Sequence, residues 1–296
     1  MKFYGLLYVG ERSERHANLR GADPLDVYLR CAALCQASAN ASAYDYELVT
    51  NEPGLLGARA STLGLDLAIL GTTFEWPVPL GIPFRSAHFK LELIEQFGTG
   101  GYGSKTALLD LDAVITKPLG EVPEGLMAYD ISDQVLPAYG QDVVRVDLSR
   151  VRGEPVSPRW FGGEFLAGSP SQFAELSLRV RSCWARYVAA IGELHHVGDE
   201  MLLSAALAGQ PVASATPFIA RWWSARTLTL FDRFADVQDR AILHLPADKE
   251  FLAAYPVEGF SGPSFVSAYR AHARRKVLAR QLAGVFRPDG KVSPRL

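Results

Sequence analysis

The fold of this chain is decided by residues 105–115, which read KTALLDLDAVI. The run from Thr106 to Leu109 is apolar on both faces, as a central strand of a sheet covered on both sides must be. Asp110 and Asp112 come where this strand ends. Carboxylates two residues apart on a continuous strand point to opposite faces, so they meet at one ion only where the backbone turns. Because ligands bind at the carboxyl ends of strands in open α/β sheets, we expect the pair to hold a metal.

The metal expected at this pair is Mg²⁺ or Mn²⁺. Such ions are bound by one or two carboxylates and completed by phosphate oxygens of the substrate. There they act as Lewis acids and neutralise the charge of a leaving diphosphate. By itself an Asp-x-Asp pair also fits surface carboxylates or a helix cap, so its neighbours in the chain decide the interpretation.

Short apolar runs alternate along the chain with longer amphipathic segments, which is the pattern of an α/β fold. The apolar runs predict strands at residues 3–9, 46–50, 66–70, 105–112, 126–130, 143–146, 164–167, 212–215 and 241–245. The amphipathic segments predict helices at residues 23–41, 85–97, 171–191, 199–207 and 264–282. The sequence shows no internal repeat and no linker. We therefore predict one nucleotide-sugar-binding and catalytic domain over residues 1–262, followed by a basic helix and tail over residues 263–296.

Composition excludes several classes of protein. The chain has 296 residues, of which 48% are hydrophobic and 21% charged, and this is ordinary for a globular protein with a full core. Its net charge of -2 gives no reason to expect nucleic-acid binding. Three cysteines (Cys31, Cys35 and Cys183) are too few and too unevenly placed for a disulfide framework. Since no apolar run approaches the roughly 18 residues of a membrane span, we predict a cytoplasmic protein.

Further landmarks occur in a fixed order around the Asp-x-Asp pair. A helix with Phe89-Lys90-Leu91 precedes it. After it come the segment from Phe161 to Pro170, the segment from Gly198 to Ser204, and then His244 and Lys249 behind a short apolar run. This order, over residues 3–250, resembles the retaining glycosyltransferases with a GT-A fold, especially the family of glycogenin and the bacterial lipopolysaccharide galactosyltransferases. The resemblance implies a mixed, mostly parallel central sheet flanked by helices, with a helical appendage at the C-terminus.

The resemblance also implies an activity, the transfer of a sugar from a nucleoside-diphosphate sugar to an acceptor. It favours a UDP-sugar as the donor and retention of the configuration at the anomeric carbon. The implied metal ligands are Asp110, Asp112 and His244. The implied catalytic residues are Asp199, Glu200 and Lys90, with Asp199 binding donor-sugar hydroxyls or stabilising the oxocarbenium-like centre. The implied substrate-binding residues are Gly10, Arg12, Arg85, Gly162, Gly163, Glu164 and Lys249, the last of which would meet the diphosphate.

The chain departs from the family pattern near these residues. Gly163 and Glu164 replace the amide of an Asn-Ser-Gly element, and Glu200 replaces a glutamine. The glycine-containing loop after the metal-binding histidine is replaced by residues 245–248. Glu200 adds a negative charge near the donor sugar, and the departures together leave the donor, the acceptor and the stereochemistry open.

Two other functions remain open from the sequence. Residues 109–115 also resemble the first motif of the haloacid dehalogenase superfamily, in which an Asp is the nucleophile, and residues 197–200 resemble its last acidic motif. That alternative predicts a phosphatase. The second alternative is a protein that binds a nucleotide sugar without turnover.

Three other features have a structural and a functional interpretation. His195-His196 suggest a metal cluster, but adjacent histidines point apart, and Asp199 is placed to cap the helix that follows. Trp222-Trp223 fit either an acceptor platform flanked by Arg221 and Arg226 or a buried core. The basic residues between Arg270 and Arg295 fit either a solvated helix face or a peripheral contact with an anionic membrane.

Overall fold

The computed structural model describes residues 1–10, 23–224 and 231–285. Its strands, in chain order, are β1 (Lys2–Leu6), β2 (Asp45–Thr50), β3 (Ile69–Gly71), β4 (Thr106–Leu109), β5 (Ala113–Ile115), β6 (Met127–Asp130), β7 (Phe161–Gly168), β8 (Ala213–Ser214), β9 (Ile219–Arg221) and β10 (Ile242–His244). Its helices are α1 (Pro24–Ala41), α2 (Pro53–Thr62), α3 (Arg85–Gly98), α4 (Ser132–Tyr139), α5 (Gln141–Arg152), α6 (Pro170–Ala190), α7 (Asp199–Leu207), α8 (Phe231–Val237), α9 (Lys249–Ala254) and α10 (Gly262–Val285).

The strands of the described residues form two sheets. The larger has seven strands in the order β3-β2-β1-β4-β7-β6-β8, and the smaller has three in the order β5-β10-β9. In the larger sheet β7 runs antiparallel to both of its neighbours, β4 and β6, whereas the other pairs are parallel. The predicted α/β class, with a mixed and mostly parallel sheet, is confirmed.

Local sequence explains where the long helices begin. Asp23 accepts a hydrogen bond from the amide of Leu25, and Pro24 occupies the first turn of α1, where its missing N–H costs nothing. At α6, Ser169 and Gln172 form a reciprocal capping box ahead of the buried face. Both starts were readable from the sequence because their signals lie within four residues of each other.

The predicted strand at residues 143–146 is wrong, because these residues lie in the middle of α5. The buried residues of α5 are Val144, Asp147, Leu148 and Val151, a spacing of three and four that belongs to a helix. Val143 and Val146 are instead 45% and 47% exposed. The run of valines suggested a strand because the window was too short to show the helical period.

The smaller sheet positions the candidate site. After β4 the chain leaves the large sheet, and β5 pairs antiparallel with β10. β10 in turn pairs parallel with β9. The sequence did not predict β5 and β9 as strands. Their pairing brings the end of β4, the end of β9 and the end of β10 to one place.

α10 lies along the chain segment that follows β10, and its buried face includes Phe265, Tyr269 and Val277. Its outer face carries the exposed Arg270 and Arg275. Within the parts of the chain that the model describes, no helix is both long and apolar enough to span a bilayer.

Candidate active site

Asp110 and Asp112 lie in a tight turn between two sheets. β4 ends at Leu109, β5 begins at Ala113, and the amide of Ala113 donates to the carbonyl oxygen of Asp110 at 3.1 Å. The chain changes direction between the two aspartates, which is the geometry that lets alternate carboxylates converge. Asp110 keeps 24% of its side chain exposed, whereas Asp112 is buried.

His244 reaches the same place from the end of β10. The antiparallel register sets His244 opposite Ala113, the residue after Asp112, and the amide of Leu245 donates to the carbonyl oxygen of Asp112 at 2.9 Å. Its Nε2 lies 3.0 Å from Asp112 Oδ1 and 3.7 Å from Asp110 Oδ2. Sheet pairing therefore joins side chains that are 132 residues apart in the chain.

The donor set of Asp110, Asp112 and His244 fits a divalent cation. Each residue offers one ligand atom, and these atoms lie within 4.8 Å of one another. Over residues 1–10, 23–224 and 231–285 this is the only such group of three His, Cys, Asp or Glu side chains. Carboxylates suit hard divalent ions, and the imidazole adds a nitrogen that transition metals accept.

Two lysines flank this group, one on each aspartate. Lys90 on α3 has its Nζ 2.5 Å from Asp110 Oδ1 and 3.2 Å from Asp199 Oδ2, and it donates to the carbonyl oxygen of Gly163 at 3.1 Å. Lys249, at the start of α9, has its Nζ 2.5 Å from Asp112 Oδ2. Both ammonium groups thus stand beside the metal group, where an incoming phosphate would meet positive charge.

Burial and charge together set the protonation of these groups. Burial lowers the pKa of Lys90 and of Lys249, but the facing carboxylates raise both pKa values above the ordinary one. Burial raises the pKa of Asp110, and Lys90 offsets only part of that effect. Burial also opposes ionisation of Asp112, yet Lys249 and His244 hold its pKa well below the usual range. For His244, burial lowers the pKa while the facing carboxylates raise it to about 9.

Behind His244 lies a second layer of charge. Glu164, on β7, is fully buried and accepts two hydrogen bonds of 2.6 Å from the guanidinium of Arg221, while its Oε1 lies 3.3 Å from Nδ1 of His244. Arg221 also pairs with Glu200, which accepts a hydrogen bond from Nε1 of Trp160 at 3.1 Å. Burial raises the pKa of Glu164, but Arg221 and His244 together hold it below the usual range.

Carboxylates exceed permanent cations in this part of the structure. The acids are Asp110, Asp112, Glu164, Asp199 and Glu200, and the cations are Lys90, Lys249 and Arg221. The five acids outnumber the three permanent cations by two. His244, whose pKa is raised to about 9, offsets one of these charges while it is protonated, and the full excess of two would appear once a metal displaces that proton. A divalent cation would balance that excess.

Two glycines let charged groups approach the backbone of β7. A Cβ on Gly163 would collide with Oδ2 of Asp199, and a Cβ on Gly162 would collide with Oε2 of Glu164. The carboxylate of Asp199 therefore occupies the space where other residues carry a side chain. This steric need explains why the pattern Gly-Gly-Glu stands in a strand that is buried throughout.

One interpretation of the sequence placed Asp199 as the cap of α7, and the structure shows that it is not the cap. The N-cap residue is Gly198, and it makes no side-chain cap hydrogen bond. The carboxylate of Asp199 points instead to Lys90. Asp199 is thus part of the charged cluster, and Glu200 in the next position joins it through Arg221.

Of the other predicted substrate-binding residues, Gly10 and Arg85 lie at the segment that follows β1, and Arg12 lies outside the described residues. The structure describes Gly10 at the end of the segment that follows β1. Arg85 is not part of the carboxylate cluster. Its guanidinium lies over the rings of Tyr8 and Phe89, 5.9 and 5.3 Å from their centroids. Arg85 is therefore placed beside the segment that leads to Gly10.

Sequence reasoning missed the roles of Arg221 and Trp160 in the charged cluster. Arg221 was considered only as a neighbour of Trp222-Trp223, and Trp222 is buried, with its ring centroid 5.3 Å from that of Phe234. The signal that was present is the pair of acids Glu164 and Glu200, which stand at two of the family's landmarks and together call for a cation. Arg226 lies outside the described residues.

The adjacent histidines do not form a metal cluster. Nδ1 of His195 lies 2.6 Å from Oδ2 of Asp147 on α5, a buried carboxylate–histidine pair outside the site. The ring of His196 is near-parallel to that of Phe84, with centroids 6.3 Å apart. A separate cleft of about 510 Å³, lined by residues including Leu126 and Gln172, contains none of the predicted site residues.

Comparisons with known proteins place the fold. No protein-family model matches the chain, and no curated protein matches it in sequence. The structure is similar to the crystal structure of the galactosyltransferase LgtC in complex with donor and acceptor sugar analogues. The TM-score is 0.51 at 15% identity, over 86% of this chain and 95% of that one. It is also similar to an active-site Gln→Glu mutant of LgtC, with a TM-score of 0.50 at 14% identity, over 92% of this chain and 96% of that one. The predicted GT-A fold is thereby confirmed.

Proposed function

We propose that this protein is a metal-dependent glycosyltransferase that moves a sugar from a nucleoside-diphosphate sugar to an acceptor. The observation that carries the proposal is the convergence of Asp110, Asp112 and His244 within 4.8 Å. These three side chains lie between Lys90 and Lys249, whose positive charges favour an anionic substrate such as a diphosphate. The likeness of the fold to that of LgtC supports the same proposal.

The phosphate side of the site consists of the metal ligands and Lys249. Mn²⁺ or Mg²⁺ held by Asp110, Asp112 and His244 would supply a Lewis acid that polarises the diphosphate of the donor. Lys249 now pairs with Asp112 at 2.5 Å. With a cation held by Asp112, the ammonium of Lys249 would be available to the leaving diphosphate, whose developing charge it would stabilise.

The sugar side of the site consists of Lys90, Asp199 and β7. Lys90 holds the carboxylate of Asp199 against Gly163, and that carboxylate accepts hydrogen bonds from donor-sugar hydroxyls or stabilises the oxocarbenium-like centre. Gly162 and Gly163 contribute by leaving space for the carboxylates of Glu164 and Asp199 at the same edge of the strand. We assign retention of configuration to the reaction, as in the family that the sequence resembles.

Glu200 stands where the family has a glutamine. The same exchange defines the active-site mutant of LgtC to which the structure is similar. In this chain the added charge of Glu200 is matched by Arg221 and by the indole N–H of Trp160. A residue that the family keeps neutral is thus accommodated here as part of an ion pair, and Glu200 remains a candidate catalytic residue.

The nucleotide side of the site is the segment after β1, and the nucleotide we favour is UDP. Gly10, Arg12 and Arg85 would line it, with Arg85 placed over Tyr8. Nucleic acid is not a proposed partner. Contact between α10 and an anionic membrane is part of the proposal, because Arg270 and Arg275 are exposed on that helix. We also propose a cytoplasmic location, since the cysteines of the described residues are free and buried.

Calorimetry with Mn²⁺ and a panel of nucleoside diphosphates tests the proposal. We expect Mn²⁺-dependent binding of UDP that is lost in Asp112→Ala. Asp147→Asn is the matched control, because it changes a buried carboxylate beside a histidine outside the site and should leave UDP binding intact.

The alternatives give different results in the same protein. A phosphoryl group on Asp110 that forms with a phosphate ester and is released by hydroxylamine, as an acyl phosphate is, would establish a phosphatase and contradict the proposal. Metal-dependent binding of UDP-sugars without transfer or hydrolysis of any of them would establish a binding protein instead.

A further inference from the structure

Glu164 is a charge in the middle of an otherwise apolar strand. All eight residues of β7 are buried, and Glu164 itself is fully inaccessible to solvent. A buried carboxylate that is not paired costs several kcal/mol, so its retention requires strong partners. Arg221 supplies two parallel hydrogen bonds of 2.6 Å, the geometry in which a guanidinium binds a carboxylate most tightly.

Glu164 contacts both sides of the metal group. Its carbonyl oxygen accepts a hydrogen bond from the amide of Asp110 at 3.0 Å, and its Oε1 lies 3.3 Å from Nδ1 of His244. The aspartates face the other ring nitrogen, Nε2. Glu164 therefore stands behind the imidazole. Since both of its oxygens already accept from Arg221, it is not itself a ligand in this arrangement.

Arg221 is fixed in its turn by the small sheet and by Glu200. The parallel register of β9 and β10 sets Arg221 directly beside His244, and the amide of Arg221 donates to the hydroxyl oxygen of Tyr129 at 3.0 Å. Its guanidinium bridges Glu164 and Glu200. The imidazole is therefore held by a unit that spans three strands and the helix carrying Glu200.

We propose that Glu164, clamped by Arg221, is a positioning residue that orients the ring of His244 and thereby sets the affinity of the site for a divalent cation. The carboxylate holds the proton on Nδ1 and leaves the lone pair of Nε2 directed at the aspartates. This inference rests on the proposed function, because it requires a cation at Asp110, Asp112 and His244. It goes beyond that function by assigning a role to a residue at which the chain departs from the family pattern.

Titration of the wild-type protein and its variants with Mn²⁺ alone tests the inference. Removing such an outer partner weakens metal binding by about 10- to 100-fold, and we expect that loss in Glu164→Leu. Glu164→Gln should lose less, because its amide oxygen still accepts from Nδ1, although it carries no charge. Arg221→Lys should also bind Mn²⁺ more weakly, since an ammonium cannot hold both oxygens of Glu164 in one plane.

A spectroscopic signature separates positioning from a purely structural role. With Co²⁺ in place of Mn²⁺, the visible absorption of the wild type reports the imidazole ligand, and we expect this band to shift in Glu164→Leu. Asp147→Asn is the matched control, because it removes the charge behind His195, a histidine that is not part of the metal group. It should lower the melting temperature and leave both the Mn²⁺ affinity and the Co²⁺ band unchanged.

A double variant keeps the test decisive if Glu164→Leu does not fold. Replacing buried ion pairs by apolar residues of similar size is often tolerated. Glu200 also loses Arg221, but it is partly exposed and keeps its hydrogen bond from Trp160, so Glu164→Leu with Arg221→Met should fold. It is expected to bind Mn²⁺ as weakly as Glu164→Leu. Wild-type affinity in the double variant, with the Co²⁺ band unchanged, would overturn the inference and leave the proposed function standing. Failure of the wild-type protein itself to bind Mn²⁺ would overturn both.

Discussion

Two buried clusters in this protein combine carboxylate, histidine and lysine, and they differ in which charge is in excess. The site cluster consists of the five acids, the three permanent cations and the histidine described above, namely Asp110, Asp112, Glu164, Asp199, Glu200, Lys90, Lys249, Arg221 and His244. The joint cluster consists of Asp248, Ser224, Tyr269, His272 and Lys276. In the site cluster the carboxylates of Asp112 and Asp110 lie 3.0 and 3.7 Å from the same ring nitrogen, Nε2 of His244. In the joint cluster a single carboxylate accepts from every neighbour.

Asp248 is saturated with donors. Its Oδ2 accepts from Ser224 at 2.5 Å and from Tyr269 at 2.8 Å, and its Oδ1 lies 3.1 Å from Nε2 of His272 and also pairs with Lys276. Asp248 is 3% exposed and directly precedes Lys249. The joint cluster thus fastens α10 to the segment that presents Lys249, and it has neither the lone pairs nor the negative charge to hold a cation.

Charge balance, rather than residue type, therefore distinguishes a candidate ligand site from a structural cluster. A cluster with unsatisfied negative charge is stable only when a cation compensates it, whereas a saturated carboxylate contributes to the fold. Substitutions in the joint cluster should lower stability, whereas substitutions in the site cluster should lower activity. The opposite result would contradict the assignment of the two clusters.

The largest effect is expected for the joint cluster. Asp248→Ala removes the common acceptor of four donors and leaves His272 and Lys276 without their carboxylate, so the free energy of unfolding should fall by about 3–5 kcal/mol. Chemical denaturation measures this loss. The Mn²⁺ affinity of the folded fraction should be unchanged, and a large drop in that affinity would mean that the two clusters are one functional unit.

The opposite result is expected for the site cluster. Asp110→Asn removes a charge that offsets a cation, so transferase activity should fall by about 10²- to 10³-fold, the usual cost of losing one group that stabilises developing charge. The melting temperature should stay near the wild-type value or rise, because the change relieves repulsion between Asp110 and Asp112. His244→Ala should lower transferase activity to a similar extent. A strongly destabilised Asp110→Asn protein would mean that the carboxylate is structural.

A smaller effect tests the close approach of Asp199 to β7. In Gly163→Ala the added methyl group collides with Oδ2 of Asp199, which must move away from Lys90. A displacement of about 1 Å at a reacting centre can cost about 10²-fold, and we expect a loss of turnover of that order in steady-state kinetics. The control is Gly57→Ala on α2, where a Cβ meets nothing within 4 Å. Equal activity in the two variants would remove Asp199 from the site.

The smallest effect is a pH dependence of stability in the joint cluster. Burial raises the pKa of Asp248, but hydrogen bonds from His272, Lys276 and Ser224 outweigh it and hold the pKa below the usual range. Because the folded pKa is depressed, Asp248 stabilises the fold above its ordinary pKa of about 4, and this contribution is lost as the pH falls toward the folded pKa. The free energy of unfolding should therefore fall less between neutral and acidic pH in Asp248→Asn than in the wild type. Identical slopes would contradict the assignment.

Parts of the fold were predictable because their signals are local. The Asp23-Pro24 start of α1, the buried run of β4 and the helix at residues 199–207 are each specified within a few residues, and the structure has them at those places. The turn at Asp110 was also predictable, since only a break in the strand lets both aspartates face one point. The roles of the individual site residues remain predictions.

Other parts depend on pairing over long distances. Arg221 reaches Glu164 only because β9 joins β10, and neither the strand nor the contact across 57 residues has a local signal. At residues 143–146 the valines favour a strand locally, but the buried face of α5 overrides that preference. The sequence therefore pointed to the acids of the candidate site. Arg221, the guanidinium between Glu164 and Glu200, became visible only in the structure.

A crystal of the full chain soaked with Mn²⁺ and UDP tests the central claim most directly. We expect an anomalous manganese peak between Asp110, Asp112 and His244, with the diphosphate of UDP on the metal and beside Lys249. A peak elsewhere, or UDP bound with no manganese at these three side chains, would contradict it.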